Sequence, residues 1–179
     1  MPDKKRAYWG VGKFKEWILY LVATDVGLAL ITWPDESFGA VEDFVRNRLP
    51  GYVLTHEPEK VEAHKDALLQ SLENGCTDVR GLSFDLQGSN FQIAVWNALL
   101  DIPAGKTRTY SEIAGLSGRP DAVRAVAHAI GANPIAFLIP CHRVIGKDGR
   151  LTGYRGGLEL KKTLLQLEGG WPKEPEYYL

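Results

Sequence analysis

The sequence predicts an α+β protein, in which a small layer of strands and helices precedes a mainly helical second half. Three observations support this fold class: an apolar hairpin pattern over residues 17–33, a change of character near residues 87–89, and two capping-box helix starts beyond that point. A chain of 179 residues suits one domain or two small ones. We place the boundary so that residues 1–87 form an N-terminal α+β domain and residues 88–179 a C-terminal domain.

Two apolar runs in the first half flank a short polar turn, which is the pattern of a β-hairpin. Ser37 can cap a helix that Pro50 and Gly51 end. The predicted elements are strands over 17–24, 28–33 and 82–86 and helices over 37–48 and 58–73.

The second half contains helix starts of a recognisable kind. Ser89 and Gln92 have the spacing of a capping box, and Thr109 and Glu112 repeat it. Pro120 has the position of a proline in the first turn of a further helix. The predicted helices cover 90–100, 110–116 and 121–130.

The last two of these helices are joined by a short turn that contains Gly118, which is the helix-turn-helix pattern. The second of them presents small residues around one long one, Arg124. Alanines allow close approach of a backbone, and a single arginine above them suits insertion into a partner. A packed alanine-rich helix with Arg124 in solvent fits the same pattern. The small residues are Ala122, Ala125, Ala127 and Ala129.

Charge is unevenly distributed along a chain whose formal net charge is −1. Residues 1–89 hold 10 Lys or Arg against 14 Asp or Glu, whereas residues 90–168 hold 10 against 6. The basic bias of the second part is compatible with binding phosphates and does not establish it. The longest apolar runs are too short for a membrane span and no signal peptide is recognised, so we expect a cytoplasmic protein without membrane contact.

Cys141 follows an apolar run and precedes His142 and Arg143 without a spacer. A reactive thiol needs a nearby base or positive field, which these neighbours could supply, but adjacent side chains diverge in helices and strands. A free cysteine is also among the most buried residue types. The only other cysteine is Cys76, so we expect neither a disulfide framework nor a metal site. The residues around Cys141 alone do not decide whether it is a nucleophile or a buried core residue.

Residues 84–170 resemble the O6-alkylguanine-DNA alkyltransferase family. The active-site motif is matched by IPCHRVIG, and the first helices by FQIAVWNALLDIPAGKTRTYSEIA. The recognition helix and its hinge are matched by RPDAVRAVAHAIGANP, and the segment that closes the pocket, with the last helix, by GYRGGLELKKTLLQLEG. The first half resembles the family's variable, ribonuclease-H-like N-terminal domain only in its order of elements.

The resemblance implies a role for five residues in the chemistry. Cys141 matches the nucleophile, His142 the base that reaches it through a water, and Glu168 the carboxylate that orients this histidine. Tyr110 matches the tyrosine that donates to N3 of the guanine. Asn133 matches the hinge before the active-site segment, where a structural role is as well founded as a catalytic one.

The resemblance also implies how duplex DNA is bound. Arg124 matches the residue that fills the space left by the flipped base, and the small residues around it match a helix in the minor groove. Binding should then depend on salt more than on sequence. The residues expected to contact DNA are Ala122, Arg124, Ala125, Ala127, Arg143 and Thr109.

Four residues match the walls of the family's guanine pocket: Val144, Tyr154, Arg155 and Gly156. The long side chain of Arg155 is expected to narrow or gate this pocket, which affects acceptance of large alkyl groups. No cofactor and no metal are expected, because the family's zinc-binding members use N-terminal cysteine and histidine ligands and this first half has only one cysteine, Cys76.

The implied function is stoichiometric, irreversible transfer of the alkyl group from O6-alkylguanine, and by extension O4-alkylthymine, to Cys141 of a monomeric protein. Three alternatives remain. They are a lesion binder of the same fold that does not react, a regulator that senses alkylation, and a cysteine hydrolase. Cys141 argues against the first. The short first half argues against the second, and the helix-turn-helix pattern against the third.

Overall fold

Four strands near the N-terminus form a mixed sheet in the order β3-β2-β1-β4. The computed structural model describes residues 4–76 and 81–171. Strand β1 pairs antiparallel with β2 and parallel with β4, and β2 pairs antiparallel with β3. The predicted hairpin is therefore confirmed, while β1 and β4 were not predicted. The strands are β1 Arg6–Phe14, β2 Trp17–Ala23, β3 Leu28–Ile31 and β4 Val53–His56.

The strand predicted over residues 82–86 is wrong. This segment makes only an isolated bridge between Leu28 and Phe84, supported by a bond from the Leu28 N–H to the Ser83 carbonyl and one from the Asp85 N–H to the Leu28 carbonyl. The alternating pattern reflects partial burial beside β3 and does not extend into a strand.

Helix α1, Phe38–Arg48, covers one face of the sheet, where Val41 and Val45 join a cluster with Ala7 and Val22. Helix α2 runs over Glu62–Glu73. The predicted start of this helix at Pro58 is wrong, because Pro58–Lys60 form a separate 3₁₀ turn.

Both predicted capping boxes are present in the C-terminal part. Helix α3, Asn90–Leu100, begins after Ser89, and α4, Tyr110–Leu116, begins after Thr109. Helix α5 is Val123–Gly131 with Ala122 at its N-cap, so the start predicted at Asp121 is wrong. The Ala122 N–H instead bonds to the Arg119 carbonyl and closes a turn that contains Pro120.

Helix α5 packs against α3 and α4. The buried indole Nε1 of Trp96 on α3 donates to the carbonyl of Ala129 on α5 at 2.8 Å. Ala129 is 2% exposed, so its expected place on the outer surface of α5 is wrong. The remaining elements are β5 Arg108–Thr109, a 3₁₀ turn at Cys141–Arg143, β6 Val144–Ile145 parallel to β5, and α6 Leu158–Leu167.

One hydrophobic core joins the sheet to the helices. It contains Leu28 and Ile31 from β3 together with Trp96 from α3 and Ile135 from the segment after α5. The Ile31 N–H bonds to the Pro134 carbonyl at 3.0 Å, which ties the sheet to that segment directly.

Within the described residues, none of the helices is both long enough and apolar enough to cross a membrane. The domain boundary between residues 87 and 88 stays a prediction. The start of the predicted domain 1–87 and the end of the predicted domain 88–179 lie outside the described residues.

Candidate active site

Cys141 lies at a cavity of about 250 Å³ and is 4% exposed. The cavity is lined by residues from separate elements, including Tyr110 at the start of α4 and Ile130 near the end of α5. Trp33, which follows β3, brings the N-terminal region into the same wall. The thiol is therefore enclosed by parts of the chain that are distant in sequence.

The 3₁₀ turn at Cys141–Arg143 resolves the adjacency of Cys141 and His142. Cys141 lines the cavity, whereas the imidazole of His142 is directed to Glu168, with 2.7 Å between Nε2 and Oε1. The backbone at the thiol is therefore a tight turn and not a regular α-helix or strand.

Asn133 connects the end of α5 to the thiol. Its Nδ2 donates to Sγ of Cys141 at 3.3 Å and to the carbonyl of Ile139 at 3.0 Å, and its Oδ1 accepts from the N–H of Ile135 at 2.9 Å. The bond to sulfur favours the thiolate, while burial raises the pKa of the Cys141 thiol. Asn133 therefore holds the loop and contacts the sulfur with the same side chain.

His142 and Glu168 form a buried pair, since both side chains have no exposed surface. Burial lowers the pKa of His142, and the bond to Glu168 opposes this effect. Burial raises the pKa of Glu168, but the bonds from His142 and Arg143 outweigh it, so this pKa lies below its ordinary value. Nδ1 of His142 has no hydrogen-bond partner among the described residues. A neutral imidazole in this position can accept a proton.

Arg143 was predicted to contact DNA, but its side chain is only 4% exposed and is directed into the protein. Its Nη2 lies 2.9 Å from Oε1 of Glu168, and its Nε bonds to both oxygens of that carboxylate at 3.1 Å. The same guanidinium donates to the carbonyls of Cys76 and Ile102. A buried charge needs such partners, and they leave Arg143 inside the protein. The motif placed this residue beside the site without showing which way it points.

Tyr110 reaches the cavity from the first residue of α4. Its hydroxyl donates to the carbonyl of Thr152 at 2.9 Å, and burial raises its pKa. Thr109 uses its side chain to cap α4 by accepting from the N–H of Glu112. A DNA contact by Thr109 stays a prediction.

Lys161 of α6 is a buried cation that the sequence reasoning missed. Its Nζ donates to the Thr152 carbonyl at 2.9 Å and lies 6.0 Å from the ring of Tyr110. Burial lowers the pKa of Lys161 to about 8. Burial also raises the pKa of Cys141, and the Lys161 charge offsets part of that increase. The available signal was its position on the apolar stripe of α6, beside Leu164 and Leu165.

The pocket residues predicted around Tyr154 lie together. The ring of Tyr154 meets Trp33 edge to face, with centroids 5.2 Å apart. Gly156 lies against the same indole, because a Cβ there would come 3.1 Å from Cε3. Arg155 lines the cavity and forms an ion pair with Glu36. Val144 is buried in β6, and a contact of its carbonyl with the guanine stays a prediction.

The outer surface of α5 consists of small side chains around one long side chain. Arg124, Ala125 and Ala127 are exposed and Ala122 is partly exposed. This is the surface from which the DNA contacts were predicted.

No group of three or more His, Cys, Asp or Glu side chains within residues 4–76 and 81–171 could hold a metal ion.

Comparisons with known proteins show to which family the chain belongs. Residues 90–170 match the family model of the 6-O-methylguanine DNA methyltransferase DNA-binding domain. The inducible methylated-DNA–protein-cysteine methyltransferase of Bacillus subtilis is 43% identical over 166 residues, which cover 93% of this chain and 92% of the relative. The chain belongs to the methylated-DNA–protein-cysteine methyltransferase family. The resemblance recognised in the sequence is thereby confirmed.

Other members of this methyltransferase family are similar to this chain over about half or most of its length. The protein of Methanosarcina barkeri is 59% identical over 90 residues, or 48% of this chain and 57% of its own length. The crystal structure of Mycobacterium tuberculosis OGT in complex with DNA superposes with a TM-score of 0.71 at 34% identity, covering 90% of this chain and 92% of that one. The α+β class, with an N-terminal sheet and a C-terminal helical part, is shared with these structures.

Proposed function

We propose that the protein repairs DNA by moving the alkyl group of O6-alkylguanine to its own Cys141. The observation that carries this proposal is the buried thiol at the cavity, bonded to Asn133 and backed by the His142–Glu168 pair. Family membership supports the same reaction, since the relatives are named for transfer from methylated DNA to a protein cysteine.

The proposed step is a displacement at the alkyl carbon. The sulfur forms a bond to that carbon, and the bond from the carbon to O6 breaks with its electron pair leaving on the guanine. The thiol proton passes to His142, whose imidazolium is stabilised by the Glu168 carboxylate. The Tyr110 hydroxyl donates a hydrogen bond to N3 of the guanine as negative charge develops on the base. To do so, it gives up its hydrogen bond to the Thr152 carbonyl.

The base must leave the stack to reach Cys141, because the thiol is enclosed and an atom inside a duplex is inaccessible. The low surface of α5 supports close approach to the minor groove, and the exposed Arg124 is long enough to occupy the emptied position. We infer that the protein acts as a monomer on duplex DNA.

The product is a thioether, and none of the described residues that line the cavity offers chemistry that would cleave it. Each molecule therefore reacts once. The extra carbon is added to a sulfur that Asn133 already contacts at 3.3 Å, and it removes the negative charge that this contact favours, so we expect the reacted protein to be less stable than the free one. Equal melting temperatures for the two forms would contradict this expectation.

The decisive experiment is intact-protein mass spectrometry after mixing with a duplex that carries one O6-methylguanine. The wild type should gain the mass of one CH₂ group per molecule, and Cys141→Ala should gain none. An unmodified wild type that binds the lesion duplex tightly and selectively would instead favour a lesion binder.

A further inference from the structure

Arg155 lies between two cavities. It lines the cavity of Cys141 and also a neighbouring cavity of about 450 Å³. Ile31 of β3, Phe44 of α1 and Pro134 after α5 contribute to the second cavity, which lies where the sheet meets the C-terminal region. We refer to Arg155, the residue that the two cavities share, as the partition.

Glu36 holds this partition from the N-terminal side. Its Oε1 pairs with Nη2 of Arg155, and its Oε2 accepts the backbone N–H of Trp33 at 2.9 Å. Trp33 itself lines the cavity of Cys141. A single carboxylate therefore positions two parts of the pocket wall. Burial raises the pKa of the Cys141 thiol, and the Arg155 charge offsets a small part of this increase.

The Arg155–Glu36 pair is much more exposed than the ion pair behind the thiol. Its side chains are 47% and 18% exposed, against 4% and 0% for Arg143 and Glu168. Ion pairs in contact with solvent contribute little to stability, whereas breaking a buried pair is costly. The partition can therefore open while the pair that orients His142 stays in place.

We propose that Arg155 and Glu36 form a gate that sets the size of the alkyl group. This inference rests on the proposed function. When closed, the gate restricts the substrate to the cavity of about 250 Å³, which suits a flipped base with a small alkyl group. When open, it joins that space to the second cavity, which then receives the distal, aromatic end of a bulky substituent such as benzyl. Phe44 provides an apolar contact for this end, beside polar side chains that line the same cavity, including Asp43 and Asn47.

The test compares single-turnover transfer from duplexes that carry O6-methylguanine or O6-benzylguanine. Glu36→Gln removes the charge and keeps an oxygen that can accept the Trp33 N–H. The benzyl-to-methyl rate ratio should rise about fivefold, because a pair of this exposure restrains the open state by about that factor. Arg155→Ala should raise the ratio in the same direction. The matched control is Glu62→Gln, which removes the exposed pair with Lys65 on α2 and should leave the ratio unchanged.

A second variant tests the role of the neighbouring cavity. Ala40 of α1 lines this cavity and does not line that of Cys141. Combined with Glu36→Gln, Ala40→Phe should return the benzyl-to-methyl ratio to the wild-type value by filling the space. A ratio that stays high in the double variant would overturn the assignment of the cavity as the receiving site.

The possible failures are distinguishable. A wild type that takes no methyl group onto Cys141 would contradict the proposed function. Methyl transfer by the wild type, with an unchanged ratio in both Glu36→Gln and Arg155→Ala, would overturn the gate and leave the function intact.

Discussion

Glu168 is the residue on which the buried polar contacts behind the thiol converge. Its carboxylate accepts from His142, from Arg143 and from the N–H of Gly105. A negative charge at the end of a helix is disfavoured by the helix dipole, so this position needs a compensating partner. Arg143 supplies the compensation and at the same time binds the Cys76 carbonyl of the N-terminal region.

The protonation of His142 leads to a prediction about stability and pH. Burial holds its pKa below the ordinary value of about 6.5 in the folded state. Below that pH the unfolded chain binds a proton that the folded protein excludes, so stability decreases as the pH falls. We expect a lower free energy of unfolding at about pH 5.5 than at about pH 7.5 by urea denaturation.

The control for this prediction is His142→Gln, which lacks the titrating group. The variant should lose less stability than the wild type over the same pH interval. An identical loss in both proteins would show that other groups control the acid dependence.

At the scale of elements, helices that begin with a local capping motif could be predicted from the sequence. A strand whose pairing partner is distant in the chain could not. The starts of α3 and α4 were predictable because Ser89 and Thr109 cap the helix that follows directly. Strand β4 pairs with β1 across more than forty residues, which no local pattern records. Burial of Arg143 likewise depends on α6, which lies beyond the motif. The resemblance implied that Glu168 orients His142, and the fold adds Arg143 and the Gly105 N–H as further partners of this carboxylate.

The two caps provide a matched pair of variants. Ser89→Ala and Thr109→Ala should each cost about 1 kcal/mol of stability, because each removes a capping side chain. Only Thr109→Ala should also slow transfer, since α4 begins at Tyr110, which lines the cavity. Denaturation curves and single-turnover rates test this, and equal slowing by both variants would contradict a specific role for α4.

Helix α5 leads to a prediction about duplex DNA. Arg124→Ala should slow transfer from duplex O6-methylguanine by about tenfold or more, because the energy of unstacking, a few kcal/mol, is no longer offset. Reaction with free O6-alkylguanine should be unaffected. Arg150→Ala is the charge-matched control, since this arginine is highly exposed and lies outside α5. Equal losses on both substrates would argue against a role in flipping.

At the scale of the whole molecule, the shared core predicts cooperative unfolding. Ile31 and Ile135 belong to one cluster, and the Arg143–Cys76 bond crosses the same junction. We expect circular dichroism and tryptophan fluorescence to report one coincident urea transition. Two separate transitions would instead support independently stable units at the predicted boundary.

The enclosure of Cys141 also bears on how long an unused molecule survives in the cell. Dissolved electrophiles and oxidants attack thiolates that they can reach, and this sulfur is buried with a raised pKa. We expect iodoacetamide to label the native protein far more slowly than the urea-unfolded chain, and comparable rates would contradict this. A thiol that can be used only once thus reacts more slowly with small dissolved compounds than an exposed cysteine would, because it is buried and its pKa is raised.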